Sequence, residues 1–365
     1  MLNNNQKKNL NDSRWTALDG LRGIMTCFVF LSHVNYDVFP GSIVYMDTFF
    51  IMSSFLITRL LLKDWERHGE IRFKEFYIRR MKRLFPALFV VVAATTAVTY
   101  FYWHRGIDQM LHVLAALFYF TNWIRAFDIP SDYYLGHTWS LSIEEQYYLL
   151  WPVILAACLK ASWKEKGFNM LLIFVIVFTV IWRSYLALHG ASVHRTYDGT
   201  DMRLDSLALG ALIAINFKSD WLQAFSRIVA RPLIMWLSVI VLLCSVFLVD
   251  FRETQWYVWQ EVCFEFISVC LLLGFLQKPE GMMFKKIFQS RVAVYLGTIC
   301  YGIYLWHYPI LLAGEQIFHL DEWSRAFVCW LATVSLASLS YYILERPILQ
   351  AGSGVKQHTP GNALV

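Results

Sequence analysis

Charge is what this sequence has least of. Only 16% of its 365 residues are Asp, Glu, Lys or Arg, against about 25% in soluble domains. With 57% hydrophobic residues and a mean hydropathy of +0.44, that deficit excludes an ordinary soluble domain and points to a membrane protein. Metal-ligand cysteine spacing is also missing. Cys27, Cys158, Cys244, Cys263, Cys270, Cys300 and Cys329 all lie in apolar stretches. They read as small buried hydrophobes rather than disulfides or zinc ligands, and no metal is expected. The polar start, 1–14, lacks the apolar run of a signal peptide, so no cleaved leader is expected and the first apolar helix directs its own insertion. No long soluble insert, linker, low-complexity run or internal repeat is visible. The missing repeat weighs against an inverted-repeat transporter.

What is present is a series of apolar stretches: 17–35, 43–62, 84–103, 111–125, 138–159, 168–188, 201–217, 232–250, 256–276, 292–313 and 324–344. Most approach the ~20 residues needed to cross the hydrocarbon core, and the 17% aromatic content suits interfacial anchoring. The most basic loop, 63–83, holds Lys63, Arg67, Arg72, Lys74, Arg79, Arg80, Lys82 and Arg83 and is expected on the cytoplasmic side. Two spans precede it, so the N-terminus is expected there too. Full crossings by all eleven stretches would put the basic loops 160–167, 218–231 and 277–291 outside; ten crossings put them inside.

The expected fold is therefore an all-α polytopic membrane protein. It has about ten transmembrane helices plus one short or re-entrant segment, with both termini cytoplasmic. The short segment is 111–125, which ends in Thr121, Asn122 and Trp123; re-entrant backbone is tolerated where it lines a protein cavity. The organisation is a tail at 1–16, a membrane domain at 17–348 and a tail at 349–365, of which 351–365 is expected to be disordered.

Ionisable groups inside membrane helices are costly and by default mark function. Arg22 and His33 are eleven residues apart, close to a whole number of helical turns, so they share one face about 16 Å apart along the axis. Asp47 opens the second apolar stretch after a short loop. It is expected near the level of His33, where a carboxylate would orient the imidazole as a general base; the plainer reading is a wetted interfacial residue. Arg80 and Arg83 share a helix face and suit bidentate phosphate binding; the plainer reading is a cytoplasmic anchor. His137, Glu144, Glu145 and Gln146 crowd the head of one stretch and are expected to face a polar cavity, although Ser142 and Glu145 also fit helix capping. Thr200 or Asp201 fits a cap, and Asp201, Arg203 and Asp205 fit a local ion network. His307 ends an aromatic run, at the interface or at the site.

Several phrases occur in order: Leu18-Asp19-Gly20-Leu21-Arg22-Gly23, then His33, Asp47-x-Phe49-Phe50, Arg79-Arg80-x-x-Arg83, and His137-x-Trp139-Ser140-Leu141-Ser142-x-Glu144-Glu145-Gln146-Tyr147-Tyr148. Asp201-x-Arg203, Tyr301-Gly302-x-Tyr304-Leu305-Trp306-His307-x-Pro309 and Glu345-Arg346-Pro347 follow. Over roughly 15–350 the sequence resembles the acyltransferase-3 family of integral membrane O-acyltransferases. The resemblance implies about ten membrane helices with cytoplasmic ends, and acyl transfer, commonly acetyl, from cytoplasmic acyl-CoA to a hydroxyl of an envelope glycan or a small molecule. It carries over Arg22, His33, Arg80 and Arg83 as key residues. One departure is Ser53-Ser54-Phe55, where the family has Ser-Gly-Phe; unusual backbone angles at 54 would be hard for serine. Some relatives carry a second, extracytoplasmic esterase-like domain, and none is expected here. A separate protein is then expected to finish the transfer, or the acceptor reaches the membrane domain directly.

These readings give a multi-pass O-acyltransferase of the cytoplasmic (inner) membrane. Arg22, Arg80 and Arg83 are expected to bind the phosphates of acyl-CoA, the donor substrate, with no tightly bound cofactor. His33, Asp47, Glu144 and Glu145 are expected at the chemistry. His137, Trp139, Tyr301 and His307 are expected at a glycan or lipid-linked sugar acceptor. The expected partners are that donor, that acceptor, the bilayer and a separate extracytoplasmic transferase, with no nucleic acid. The competing readings are acylation of a small metabolite such as an antibiotic, and a non-enzymatic glycan or acyl transporter.

Overall fold

The computed structural model describes residues 4–103, 109–130, 134–277, 283–317 and 319–353. Among them every regular element is helical. The first three helices are long: α1 (Asn4–Val34), α2 (Tyr45–His68) and α3 (Phe73–Phe101). Gly69, in the left-handed region at φ 71°, ends α2, a C-terminal position where glycine avoids the Cβ penalty. The 111–125 stretch does not form one helix. It breaks into α4 (Met110–Leu117) and α5 (Thr121–Ala126), neither long enough to cross hydrocarbon.

Next come α6 (Trp139–Lys160) and α7 (Glu165–Leu188), a short α8 (Val193–Asp198) and α9 (Leu204–Ile215). The 218–231 stretch, read as a basic loop, is in part α10 (Asp220–Val229), which meets α11 (Pro232–Leu248) at 73°. A π-helical turn, Trp256–Gln260, leads into α12 (Glu261–Leu276). The 292–313 stretch is likewise broken. After α13 (Met283–Phe288), α14 (Arg291–Thr298) and α15 (Cys300–Ile317) are bent by 73°. Finally α16 (Glu322–Ser340) passes through a π turn, Tyr341–Glu345, into α17 (Arg346–Ser353). The rest of the tail, 354–365, lies outside the described residues, and α1 carries helix well into the 1–16 segment.

By length and composition, six helices among the described residues can cross a membrane, or eight if each bent pair is one span. That is fewer than the ten expected. The 22-residue α6 opens with Glu144, Glu145 and Gln146, which lower its hydropathy, and α9 has only 12 residues. The outer helices present apolar side chains, such as Phe174, Val177 and Ile181 of α7, as a lipid-facing surface requires. Cys244 and Cys263 belong to that exposed surface, not to the core as expected, and all seven thiols are free. The core is built on α1, α2, α6, α9 and α12.

Close packing there depends on small residues, as in membrane helix pairs generally. A Cβ on Gly210 of α9 would stand 2.2 Å from the Ile51 carbonyl oxygen of α2. Beside it, the Ser54 hydroxyl bonds the Tyr147 hydroxyl at 2.7 Å and the Leu207 carbonyl. Ser54 lies mid-helix and is not among the positive-φ residues, so the serine in the family's glycine position is accommodated without strain.

Candidate active site

The helix α1 is the frame, and it is gripped near its polar end. A Cβ on Gly23 would lie 2.3 Å from the Ala293 carbonyl oxygen, and one on Gly297 would lie 1.9 Å from the Asp19 carbonyl oxygen. The bent α14 therefore lies directly against α1, and the Asp-Gly-Leu-Arg-Gly phrase is the surface that admits it. This contact fixes the rotation of α1 and with it the face carrying Arg22 and His33.

At one end of that face three arginines converge. The Arg80 guanidinium donates from Nη2 to Glu145 Oε1 at 3.0 Å, and its Cζ stands 3.4 Å from the centroid of the Tyr148 ring. The Tyr148 hydroxyl bonds Ser53 Oγ. Arg83 feels Arg22 and Arg80 as like charges and Glu345 as an opposite one; Arg22 interacts electrostatically with Asp19 and Glu144. Among the described residues, neither the Arg22 nor the Arg83 guanidinium makes a hydrogen bond or an ion pair. The Arg22 and Arg83 guanidiniums therefore keep their N–H groups available to an anionic group. Glu345 is buried and reaches this cluster from the final π turn.

At the other end are three histidines. His33 lies 5.0 Å, ring centroid to centroid, from His307, and His307 lies 5.4 Å from His137; Tyr308 packs on both His33 and His137. Each imidazole is tied to a backbone carbonyl. His33 Nδ1 donates to Val29 O at 2.8 Å, His307 Nδ1 to Tyr304 O at 2.6 Å and His137 Nε2 to Leu305 O at 3.1 Å. A carbonyl only accepts, so the facing nitrogen carries the hydrogen. In the neutral ring the other nitrogen is then the basic one: Nε2 in His33 and His307, Nδ1 in His137. His137 and His307 are buried, whereas His33 is exposed.

The two ends share their walls. α6 runs from beside His137 to Glu144 and Glu145, and α15 runs from Cys300, which interacts with Arg22 and Arg83, to His307. Tyr304 bridges these walls: its hydroxyl donates to the His137 carbonyl and lies 2.5 Å from Ser140 Oγ. Tyr301 was expected at the acceptor, yet its hydroxyl donates to the Leu84 carbonyl of α3 at 2.9 Å and ties α15 to α3. Trp139 is 93% buried, against Phe50 and Tyr197. Ser142, a candidate cap, donates to the Thr138 carbonyl instead. The open groove of about 350 Å³ between α3 and α4, lined by Val92, Thr96, Val113 and Leu117 among others, is apolar and separate from this site.

Asp47 requires a correction. It does not partner His33. Its Oδ1 accepts from Arg203 Nη1 at 2.8 Å and contacts Ser206 Oγ at 3.2 Å. A short loop does bring α1 and α2 together, but the nearer cation wins at low dielectric. The expected network of Asp201, Arg203 and Asp205 does not form among these three residues. Asp201 pairs with Arg195, Asp205 with Arg183, and Arg203 with Asp47 and Glu261. Neither Thr200 nor Asp201 caps a helix; Thr200 donates to Gln146 Oε1 at 2.5 Å. Sequence reasoning passed over Arg183, Glu261 and Glu265, although each is a charge inside an apolar stretch and so carried the signal. The Val29 carbonyl, which supplies the orienting contact expected of Asp47, leaves no trace in side-chain chemistry.

The geometry defines a helical membrane protein with an arginine-lined end and a histidine-lined end on one internal face. A family model described as "Acyltransferase domain" matches residues 15–343. The "Peptidoglycan O-acetyltransferase OatA" of Listeria monocytogenes is 30% identical over 352 residues, covering 92% of this chain and 56% of that protein. A Staphylococcus aureus protein named "Putative O-acetyltransferase" is 32% identical, covering 92% of this chain and 57% of its own length. A Bacillus subtilis protein named "Putative peptidoglycan O-acetyltransferase" is 27% identical, covering 92% and 55%. The chain thus spans a little over half the length of these curated relatives. No solved structure matches it. The chain belongs to the acyltransferase-3 family.

Proposed function

We propose that this chain is a membrane O-acetyltransferase that moves an acetyl group from cytoplasmic acyl-CoA to a hydroxyl of an envelope glycan, from a multi-pass position in the cytoplasmic membrane. The observation that carries this reading is the pairing of two ends on one face. Arg22, with its unpaired guanidinium, and His33, with its free basic nitrogen, are about 16 Å apart along α1. Arg22, Arg80 and Arg83 bind the donor's phosphates by charge-assisted forks, at the end nearest the most basic loop. Glu145 holds Arg80 in place, and Glu144 and Tyr148 complete the wall.

The pantetheine arm then follows the face between α6 and α15, bringing the thioester carbonyl to the histidines. His33 Nε2 takes the proton of the acceptor hydroxyl as the oxygen attacks that carbonyl. The C–S bond breaks, and the CoA sulfur leaves with its electron pair and is protonated. The Val29 carbonyl holds the imidazole in the required tautomer. The glycan acceptor is supported by the names of the relatives and by the exposure of His33, to which it would have access. A separate extracytoplasmic transferase is a candidate partner.

The test is acetyl transfer in membranes supplied with labelled acetyl-CoA. His33→Ala is expected to lose at least about 100-fold, the lower range for a general base; transfer at the wild-type level by that variant would sink the mechanism.

A further inference from the structure

Apart from the arginine and histidine ends, α2, α7, α9 and α12 enclose a second polar centre. Arg203 Nη1 contacts Asp47 and Glu261, Arg183 Nη1 contacts Glu261 at 3.1 Å and Asp205 at 2.6 Å, and Ser206 Oγ lies 2.6 Å from Glu265 Oε1. All these side chains are 0 or 1% exposed. Four carboxyls face two guanidiniums, so with all four ionised there would be two negative charges in excess inside a membrane protein. Excess buried charge of this kind is strongly unfavourable unless neutralised.

Two further observations point to what neutralises it. Oxygens of Asp47, Glu261 and Glu265 lie within 4.8 Å of one another, at the spacing of ligands around one ion. Around them, buried polar atoms have no hydrogen-bond partner among the described residues: Asp47 Oδ2 and Glu261 Oε2, and also Arg183 Nη2 and Arg203 Nη2. Tyr257 is close enough to Arg203 and Glu261 to interact electrostatically with both. A divalent cation would satisfy these carboxylate oxygens directly, and the waters of a hydrated one would donate to the carboxylates around it.

We infer that Asp47, Glu261 and Glu265 bind one hydrated divalent cation of the magnesium class. A double charge matches the excess, oxygen-only ligands suit a hard cation, and magnesium characteristically keeps several waters while touching few carboxylates. The site joins α2 to α12, and Trp139 connects it through Tyr197 to the helix that carries His137. Its occupancy therefore sets the stability of the scaffold behind the histidine end. It takes no part in the acyl transfer proposed above, so the two proposals stand or fall separately.

The experiment uses the full chain purified in detergent with Mn2+ as the probe. After gel filtration, elemental analysis is expected to find one Mn per chain, removable by EDTA, and Mn2+ is expected to raise Tm. Glu265→Gln, which keeps shape and loses one ligand charge, is expected to lose bound Mn at least tenfold and to show no Mn2+-dependent rise in Tm. Asp47→Asn is expected to do the same but also breaks an ion pair, so Glu265→Gln decides if that variant does not fold. A folded wild-type chain with less than about one Mn in ten molecules would overturn the proposal, since two bound protons would then balance the charge. Full Mn retention by Glu265→Gln would overturn it as well.

Discussion

The Arg80 guanidinium lies over the Tyr148 ring, with Cζ 3.4 Å from the ring centroid, while its Nη2 is anchored on Glu145. Stacking and a directed fork together demand a planar cation. Arg80→Lys keeps the charge and loses both. It is expected to raise the donor KM about tenfold, the equivalent of ~1.4 kcal/mol, with a smaller change in kcat. Steady-state transfer across a range of acetyl-CoA concentrations checks this; an unchanged KM would remove Arg80 from the donor site.

In the proposed mechanism His307 would position His33. Its ring packs 5.0 Å from the His33 ring, and its own Nδ1 is committed to Tyr304. His307→Ala is expected to lower kcat by about tenfold to 100-fold and leave the donor KM unchanged. That is less than the loss at His33, because the base itself remains. A parallel rise in KM would instead put His307 in donor binding.

Asp47→Asn separates the two readings of that residue. As a member of a buried ion pair with Arg203, it is expected to cost stability, about 3–5 kcal/mol for breaking such a pair. Thermal unfolding in detergent reads this directly. Normal Tm with abolished transfer would restore the catalytic role suggested by the sequence.

Gly23→Ala tests the grip on α1. The added Cβ meets the Ala293 carbonyl oxygen at 2.3 Å and the Gly297 nitrogen at 2.6 Å, both backbone atoms that cannot swing aside. Overpacking of this kind costs about 1–3 kcal/mol. A lowered Tm accompanied by a raised donor KM is expected, because Arg22 adjoins the shifted contact.

The loop after His33 is clasped from outside the spans. The Tyr36 hydroxyl donates to Asp250 Oδ1 at 3.0 Å, and Arg252 binds Asp250 and covers the Tyr36 ring. The Arg252 hydrogen bonds hold the Asp250 carboxyl below its ordinary value. A depressed carboxylate contributes stability above its unfolded pKa of about 3.9, and that contribution fades as pH falls through the lower folded value. Asp250→Asn is therefore expected to lower Tm at pH 7 and to lower it less in acid below the ordinary carboxylate range. An equal deficit at both pH values would contradict the assignment.

What the sequence made legible follows from range. Arg22 and His33 share a helix, so a periodicity argument places them on one face without any tertiary knowledge. The convergence of Arg80 and Arg83 with Glu145, and of His137 with His307, lay in recognisable phrases. Asp47 did not, because its partner Arg203 is 156 residues away in sequence, and no local pattern reports which distant helix a carboxylate will face. Arg183, Glu261 and Glu265 were discoverable as charges in apolar stretches, yet their mutual pairing was not. The 111–125 stretch was marked as short or re-entrant by its length and polar end, but the break between Thr298 and Cys300 escaped for a related reason. Hydropathy registers apolar length but not where a helix turns, and α14 turns because the glycines of α1 let it lie close.

α1 carries both ends of the site on one unbroken stretch of backbone, and so it fixes their angular register as well as their separation. Each residue added to a helix turns everything beyond it by about 100° and advances it by about 1.5 Å. One extra residue between Arg22 and His33 would swing the imidazole off the face shared with His137 and His307. Four would bring it nearly back into line while moving it about 6 Å farther from the arginines, beyond the reach of the same thioester. Phase and length cannot be altered independently here, so under the proposed mechanism the eleven-residue step would itself select among acyl carriers.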